Sequence, residues 1–228
     1  MKWHHEHLPD PLPANPLAVA ASWLDEATAS AAQPNPNSMV LATVDESGQP
    51  SARVVLCKQI APQPGYLSFY SNYRSRKGRE LATNPRAAIV MHWDSLRRQL
   101  RVEGRVVQSS AIESDAYFAT RNWRSRLGAW ASEQSEPIAS RGELLRNVAK
   151  VALRFALPAP TADEETADPG LRIARPPHWG GYQLWAAAVE LWVEGSARIH
   201  DRARWTRSLT PGTGGFEAGD WSATRLQP

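Results

Sequence analysis

The sequence predicts a mainly β protein in which an antiparallel barrel is flanked by peripheral helices. Short runs of β-branched or alternating apolar residues follow one another along the chain, separated by turn residues. Strands and helices do not alternate regularly, which argues against a parallel sheet. The sequence also contains no Gly-x-Gly-x-x-Gly or Walker motif. These observations favour an antiparallel barrel over a doubly wound nucleotide-binding fold.

The predicted strands are bounded by Pro, Gly, Asn and Asp, the residues that favour turns. Gly104 lies inside one strand and indicates a bulge or a bend. Residues 60–65 are predicted to form a loop, and the Gly-rich residues 210–220 a long hairpin loop. The strands cover residues 39–44, 52–58, 66–71, 87–93, 99–108, 182–193, 197–206 and 221–226.

Four segments have the apolar spacing or the start signals of helices. Pro16 opens the first helix, in which Leu17, Ala20 and Trp23 lie on one apolar stripe. These segments are expected to pack on the outside of the barrel. The predicted helices cover residues 16–32, 76–83, 111–120 and 142–156.

Composition sets the domain organisation and the expected location. The 228 residues suffice for a sizeable core, and 42% hydrophobic with 21% charged residues is ordinary for a globular protein. The polar, Pro-rich residues 1–15 predict a flexible arm, residues 16–228 one domain, and residues 158–170 a mobile loop. No apolar run approaches the roughly 20 residues of a membrane helix, and the N-terminus lacks a secretory signal. A cytoplasmic protein without a membrane partner is therefore expected.

Arginine dominates the cations of this chain. Lys and Arg together number 26, of which 22 are Arg, and the formal net charge is +3. The planar guanidinium group suits phosphate and carboxylate, so the excess reflects either a coding bias or an anionic ligand. The arginines are dispersed, and no basic stretch is interleaved with aromatic residues, so nucleic acid is not expected as a partner.

Cysteine and histidine usage argues against disulfide and metal chemistry. Cys57 is the only cysteine, which excludes an intrachain disulfide and a Cys-rich metal site. Its apolar neighbours predict a small core residue and not a nucleophile. His4, His5 and His7 lie in the arm, where chains are often disordered, so no metal site is predicted.

The segment Ser75-Arg76-Lys77-Gly78-Arg79 is the first candidate site. Cations at the start of a helix oppose the helix dipole, and this conflict disappears if an anion binds there. Backbone N–H groups, the Ser75 hydroxyl and two cations would then converge on a phosphate. The alternative is a solvated basic turn.

Arg198, His200 and Arg202 form the second candidate group. Residues at i, i+2 and i+4 share one face of a regular strand. Two guanidinium groups and an imidazole repel one another there unless an anion or an acid lies among them. The alternative is a charged outer face of the barrel.

Tyr117, Arg121 and Ser125 form the third candidate group. Spacings of four and eight place them on one helical face if the helix continues that far. A phenol, a guanidinium and a hydroxyl group together suit a phosphate ester. The alternative is an ordinary polar helix surface.

Ten short motifs in a fixed order carry a family resemblance. They are Arg-Val-Val-Leu-Cys-Lys (53–58), Phe-Tyr-Ser-Asn (69–72), Ser-Arg-Lys (75–77), Arg-Gln-Leu-Arg-Val-Glu-Gly (98–104), Ser-Asp-Ala-Tyr-Phe (114–118), Gly-Ala-Trp-Ala-Ser-Glu-Gln-Ser (128–135), Pro-Pro-His-Trp-Gly-Gly-Tyr (176–182), Glu-Leu-Trp (190–192), Arg-Ile-His-Asp-Arg (198–202) and Arg-Leu-Gln-Pro (225–228). In this order they resemble the pyridoxine (pyridoxamine) 5′-phosphate oxidase family, from about Asn15 to Pro228.

The resemblance implies a split β-barrel homodimer with FMN at the subunit interface. In this role Arg76 and Lys77 would hold the FMN phosphate. The full set of implied FMN-binding residues is Arg53, Val54, Val55, Leu56, Cys57, Lys58, Tyr70, Ser71, Arg76, Lys77, Gln99, Gln134, Ser135, Trp192 and Arg202.

The resemblance also implies a substrate and a reaction. A phosphorylated B6 vitamer would be oxidised to pyridoxal 5′-phosphate, with O2 as the electron acceptor and hydrogen peroxide as the second product. Arg198 and His200 would be the catalytic residues over the pyridine ring, and Tyr117, Arg121 and Ser125 would hold the substrate phosphate. The implied substrate-binding residues are Lys58, Tyr117, Arg121, Ser125, Arg198, Ile199 and His200.

This chain departs from the family pattern at two notable places. Asn122-Trp123 replaces the usual Pro and a smaller residue, and the arm before Leu12 lacks the segment that closes over the substrate. Two alternatives therefore stay open. The first is a related flavin oxidase that acts on another substrate, such as a phenazine precursor. The second is a flavin- or nucleic-acid-binding module without turnover.

Overall fold

The computed structural model describes residues 7–157 and 173–228. The helices within these ranges are α1 (Pro16–Ser30), α2 (Arg76–Thr83), α3 (Ala111–Thr120), α4 (Trp123–Ala131) and α5 (Arg141–Arg154). The strands are β1 (Ser38–Val44), β2 (Pro50–Leu56), β3 (Gln59–Ala61), β4 (Tyr66–Asn72), β5 (Arg86–Trp93), β6 (Arg98–Gln108), β7 (Trp179–Val193), β8 (Asp201–Thr206), β9 (Leu209–Gly212), β10 (Gly215–Ala218) and β11 (Ser222–Leu226).

Nine of these strands form one sheet in the order β11-β8-β7-β6-β5-β1-β2, with β4 beside β7 and β3 beside β4. The pairs β1–β2, β1–β5, β3–β4, β5–β6, β7–β8 and β8–β11 are antiparallel. A separate antiparallel hairpin joins β9 and β10. The predicted fold class, a mainly antiparallel β protein with flanking helices, is thus confirmed.

The chain divides into two compact units. The strand-rich unit comprises Met1–Phe69, Thr83–Val107 and Gln183–Pro228, and the helix-rich unit comprises Tyr70–Ala82 and Gln108–Tyr182. The prediction of one domain over residues 16–228 stays a prediction. The predicted loop at 158–170 lies outside the described residues, as do His4 and His5.

The strand-rich unit has a conventional alternating core. Met39, Leu41 and Thr43 of β1 are buried, whereas the intervening Val40 is exposed. Helix α1 begins as predicted at Pro16, because the Asn15 side chain accepts a hydrogen bond from the Leu17 backbone N–H at 3.0 Å.

Gly104 does not mark a bulge. Strands β5 and β6 pair residue by residue from Arg86↔Arg105 to Trp93↔Arg98 without an extra residue. Instead, a Cβ at position 104 would lie 1.8 Å from the backbone oxygen of Trp185. The prediction of a bulge is wrong for the pairing with β5, and the glycine is required by the close approach of a neighbouring backbone.

The predicted strand 197–206 begins four residues late, at Asp201. Ala197 and Arg198 have positive φ angles of 53° and 63°, and Ser196–Arg198 forms a short 3-10 turn. This local reversal prevents the regular period of two from reaching back to Arg198. The prediction that Arg198, His200 and Arg202 share a strand face is therefore wrong.

The helix-rich unit buries an apolar core between α3, α4 and α5. The break between α3 and α4 is sharp, because Arg121 is extended and the Asn122 side chain caps α4 by accepting from the Arg124 N–H at 2.9 Å. The predicted helix 111–120 is confirmed, and because it ends at Thr120, the condition under which Tyr117, Arg121 and Ser125 would share one helical face is not met. The core residues are Phe118, Trp123, Leu127, Ala152, Leu157, Ile173 and Trp179.

The described part of the predicted arm makes specific contacts within the strand-rich unit. Leu8 is buried, and its backbone N–H donates to Asp201 Oδ2 at 2.8 Å. The Trp205 indole N–H donates to the Pro13 carbonyl oxygen at 2.8 Å. Among the described residues, no helix is both long and apolar enough to span a membrane.

Candidate functional site

The basic segment at the start of α2 organises a polar cluster in the helix-rich unit. The Lys77 side chain is buried, and its ammonium group donates to Ser71 Oγ at 3.0 Å, Ser75 Oγ at 3.1 Å and Gln134 Oε1 at 3.0 Å. Ser71 Oγ also donates to Gln134 Oε1 at 3.2 Å. Three residues of the predicted FMN set, Ser71, Lys77 and Gln134, are thus brought together.

Arg76 lies next to this cluster but is solvent-accessible. Its Nε donates to Glu80 Oε1 at 2.8 Å, and the Glu80 side chain is only 4% exposed whereas Arg76 is 54% exposed. The carboxylate therefore fixes one edge of the guanidinium group and leaves the other nitrogens accessible to an anion. Ser135, next to Gln134, is exposed and has a positive φ of 76°.

A second cluster in the helix-rich unit combines stacked aromatic rings with a half-buried cation. Tyr70 stacks on Tyr117 with centroids 3.9 Å apart, and the Arg121 guanidinium carbon lies 4.5 Å from the Trp179 ring centroid. Burial lowers the pKa of Arg121, and its Nη1 has no hydrogen-bond partner within the described chain. Ser125 is exposed in the first turn of α4. This unpaired cation beside aromatic faces suits an anionic aromatic ligand.

Trp192 and His200 come together in the strand-rich unit. Their ring centroids are 4.7 Å apart, and His200 Nδ1 accepts a hydrogen bond from the Gly195 N–H at 3.2 Å. A neutral His200 with this bond carries its proton on Nε2. Arg198 and Ile199 are exposed, in and just after the 3-10 turn.

Arg202 is held at two of its three nitrogens. Nη2 donates to Glu190 Oε1 at 2.8 Å, and Nη1 donates to the Gln227 carbonyl oxygen at 3.1 Å. Its buried Nε has no hydrogen-bond partner among residues 7–157 and 173–228. Trp192 and Arg202 are direct cross-strand partners, so they lie side by side on one face of β7 and β8.

The motif 53–58 runs from β2 into the segment beyond it. Arg53 donates to the Thr43 and Ser51 hydroxyl groups and to the Leu41 carbonyl oxygen. Within the motif, Val54, Leu56 and Lys58 are exposed, Val55 is half-buried and Cys57 is buried. Gln99 of β6, another residue of the predicted FMN set, is half-buried.

Cys57 behaves as the sequence predicts. Burial raises the pKa of its thiol to about 12, so the thiol is neutral and unreactive at ordinary pH. Its burial confirms the prediction of a small core residue.

Each of the two units, taken by itself, contains hydrogen-bond donors that suit a flavin mononucleotide. The helix-rich unit offers an accessible guanidinium and a buried ammonium group at a helix start, which suit a phosphate. The strand-rich unit offers an indole ring beside a guanidinium group with an unpaired buried N–H. The described residues contain no group of three or more His, Cys, Asp or Glu side chains able to hold a metal ion.

Sequence reasoning missed several residues of these clusters. Glu80 could have been found from its i,i+4 spacing to Arg76. Glu190 and Trp179 stand in two of the family motifs but had no assigned role, because their partners come from other elements of the fold.

Comparison with known proteins agrees with this architecture. The family model described as pyridoxamine 5′-phosphate oxidase matches residues 25–155, and the pyridoxine 5′-phosphate oxidase C-terminal dimerisation region matches residues 179–228. A pyridoxine/pyridoxamine 5′-phosphate oxidase of Cereibacter sphaeroides is 45% identical over 94% of this chain and 95% of its own. A protein of the same name from Paracoccus denitrificans is 46% identical over 87% of this chain and 84% of its own.

Solved structures agree as well. PhzG from Burkholderia lata, in complex with tetrahydrophenazine-1-carboxylic acid, superimposes with a TM-score of 0.79 and 27% identity over 96% of this chain and 95% of that one. A pyridoxamine 5′-phosphate oxidase-related, FMN-binding protein of Nostoc punctiforme has the same fold, with a TM-score of 0.66 at 18% identity over 95% and 100%.

Fold and clusters together define a split β-barrel of the flavin-binding class. Within that class, the chain belongs to the pyridoxamine 5′-phosphate oxidase family.

Proposed function

We propose that this chain is an FMN-dependent oxidase that converts pyridoxamine 5′-phosphate and pyridoxine 5′-phosphate to pyridoxal 5′-phosphate. Two relatives named pyridoxine/pyridoxamine 5′-phosphate oxidase are each 45% identical over 94% of the chain. The amine substrate, O2 and water give the aldehyde, ammonia and hydrogen peroxide; the alcohol and O2 give the aldehyde and hydrogen peroxide. The chemistry that FMN would supply when bound is the acceptance of two electrons from the substrate, which then pass to O2.

The protein residues bind and orient in this proposal. Arg76 and the Lys77 cluster would hold the FMN phosphate, and Trp192 and Arg202 would contact the remainder of the cofactor. Arg121 would hold the substrate phosphate, far from the reacting C4′ carbon, and thereby fix that carbon for reaction.

The observation that carries the substrate assignment is the half-buried guanidinium of Arg121, whose buried Nη1 has no hydrogen-bond partner among the described residues. A buried N–H group without a hydrogen-bond partner is costly. Its unpaired Nη1 and the neighbouring Trp179 ring support a ligand that is both anionic and aromatic. Phosphorylated pyridines satisfy both requirements.

An absorption spectrum of the purified protein, followed by anaerobic addition of pyridoxamine 5′-phosphate, tests the proposal. We expect a yellow protein whose flavin absorption bleaches without O2 and recovers, with release of peroxide, when O2 is admitted. A protein that binds FMN but is not bleached by either phosphorylated vitamer would contradict the substrate assignment.

A second candidate substrate is a reduced phenazine carboxylate. The similarity to PhzG, whose structure contains tetrahydrophenazine-1-carboxylic acid, favours it. The same anaerobic experiment with that compound separates the two, because we expect the flavin to bleach faster with its own substrate than with the other compound. Faster bleaching by the tetrahydrophenazine than by pyridoxamine 5′-phosphate would reverse the assignment.

Arg198 tests the catalytic part of the proposal. It lies in an exposed turn beside the Trp192–His200 pair, where it is available to orient and polarise the substrate. We expect Arg198→Ala to lower kcat by about a hundredfold or more while FMN content stays near one per chain. An equal loss of FMN and turnover would show that Arg198 serves the cofactor instead.

A homodimer in the cytoplasm completes the proposal. The match to a dimerisation region supports self-association. An apolar strip on the outer face of β1 and β2, formed by Val40, Val54 and Leu56, is 38–65% exposed, and we assign it to a second copy of the chain.

A further inference from the structure

Glu190 is a buried carboxylate for which the FMN-binding and substrate-binding sets above have no role. Its side chain is 3% exposed, near the C-terminal end of β7. Buried carboxylates need partners, and Glu190 has one on each oxygen. Oε1 accepts from Arg202 Nη2 at 2.8 Å, and Oε2 accepts from Arg101 Nη1 at 3.1 Å.

Three strands contribute to this arrangement. Arg101 comes from β6, Glu190 from β7, and Arg202 with Arg204 from β8. Arg204 lies 4.0 Å from Glu190 but forms its close contacts, at 2.8 and 3.2 Å, with Glu103. The cluster therefore contains one acid, Glu190, that contacts Arg202, and another, Glu103, whose ion-pair partners are Arg101 and Arg204.

The geometry fixes the Arg202 guanidinium on two sides. Glu190 holds Nη2, and the Gln227 carbonyl oxygen holds Nη1, so the guanidinium plane loses its rotational freedom before a ligand arrives. An unpaired arginine would populate several rotamers, and ordering it on binding would weaken affinity. The Gln227 contact is made by a backbone carbonyl oxygen, so a side-chain substitution cannot remove it. The contact with Glu190 can be removed by mutation.

We infer that Glu190 is a positioning residue for the cofactor: it holds Arg202 in the orientation in which Arg202 binds FMN. This inference rests on the proposed function. Glu190 touches neither substrate nor cofactor in this role and acts through Arg202 alone. Its charge also compensates Arg101, so a purely structural role predicts lost stability without any specific change in cofactor retention.

The test compares FMN release from the full-length holoenzyme of Glu190→Gln and Glu103→Gln. Each variant removes one charge from the same cluster, but only the first loosens Arg202. Free-flavin fluorescence after dilution gives the release rate, and thermal unfolding of the FMN-free protein gives the structural effect. We expect Glu190→Gln to release FMN about tenfold faster or more, and Glu103→Gln within twofold of the unsubstituted protein.

A double-variant comparison checks that Glu190 acts through Arg202. If it does, Glu190→Gln adds little to the release rate once Arg202→Gln is present. Equal FMN release from Glu190→Gln and the unsubstituted protein would overturn the inference, as would equal acceleration in both single variants. If Glu190→Gln does not fold, Glu190→Asp keeps the buried charge but withdraws it from Arg202, and unchanged release from that variant would overturn the inference equally.

Failure of the proposed function gives a different result. In that case the unsubstituted protein itself would retain no FMN or would not bleach with a phosphorylated vitamer. Normal FMN retention and bleaching in the unsubstituted protein, with no effect of Glu190→Gln, would contradict only the role of Glu190.

Discussion

Lys77 and Arg121 are both cations of the helix-rich unit, yet their surroundings differ. Lys77 donates to three side-chain oxygens, which satisfy its three N–H groups. Arg121 Nη1 is buried without a hydrogen-bond partner in the part of the chain that the structure describes. Lys77 is therefore built to organise Ser71 and Gln134, whereas Arg121 has a donor left for a ligand.

Arg121→Ala tests this difference at the residue scale. Loss of one charge-assisted contact to the substrate phosphate should raise KM for pyridoxamine 5′-phosphate about tenfold or more. Steady-state kinetics with a parallel measurement of bound FMN checks this. Arg124→Ala is the control, because Arg124 also lies near an aromatic ring, Trp123 at 5.6 Å. A KM equal in both variants would contradict the role of Arg121.

At the scale of elements, the start of β8 is tied to the N-terminal segment. Asp201 Oδ2 accepts from the Leu8 N–H, and Oδ1 accepts from Arg225 Nη1 at 2.7 Å. Arg225 Nη2 in turn donates to the Pro9 carbonyl oxygen at 3.1 Å. These bonds connect residues 8–9, β8 and β11 at one point.

Asp201→Ala should release the N-terminal segment. Two hydrogen bonds lose their acceptor, so the free energy of unfolding should fall by about 1–2 kcal/mol, and amides near Leu8 should exchange with solvent faster. Hydrogen exchange and denaturant unfolding measure both effects. Asp220→Ala, at an exposed aspartate, is the matched control. Unchanged exchange at residues 8–13 in Asp201→Ala would refute the tether.

The ion pair between β6 and β8 makes a pH prediction. The hydrogen bond from Arg204 lowers the pKa of Glu103 below its ordinary value of 4.5. A carboxyl group with a lowered pKa stabilises the fold above its unfolded pKa, and this contribution is lost as pH falls through the lowered value. Glu103→Gln should therefore unfold more easily than the unsubstituted protein at pH 7, and the difference should shrink below about pH 4. A difference independent of pH in denaturant titrations would contradict this.

The elements that the sequence predicted well are those with complete local signals. Helix α1 has an Asn cap and Pro16 at its first position, and β5 carries an apolar run. Prediction failed where a tertiary contact decides the backbone. Gly104 is required by the Trp185 carbonyl group, and the turn at Ala197 and Arg198 replaces the start of a strand.

The candidate site was predictable only through its motifs. The structure groups Ser71 with Lys77 and Gln134, and Trp192 with His200, although these residues are far apart or irregularly spaced in the chain. Local periodicity gave the wrong arrangement for the Arg198 group, and for the Tyr117 group its condition, a helix continuing beyond Thr120, is not met. Their partners come from other elements, which no spacing rule within one segment can reveal.

At the scale of the whole molecule, one face of β1 and its neighbours is apolar and exposed in the part of the chain that the structure describes. Val40 is 42% exposed and pairs with Val54 of β2 on one side and Val90 of β5 on the other. Exposed apolar strips of this kind are typical of an interface. The match of residues 179–228 to a dimerisation region supports self-association, and we expect a second copy to cover this strip as well.

Val40→Lys should convert the dimer to a monomer and weaken FMN retention, because a charge in the centre of an apolar interface is costly to desolvate. The folded chain itself should tolerate the change, since the lysine head can reach water from an exposed strand face. Light scattering after size-exclusion chromatography gives the mass, and the ratio of flavin to protein absorbance gives the FMN content. Leu153→Lys, on α5 and 77% exposed, is the control and should stay dimeric. A Val40→Lys protein that remains dimeric with full FMN would place the subunit interface elsewhere, whereas a monomer that keeps its FMN would separate cofactor binding from dimer formation.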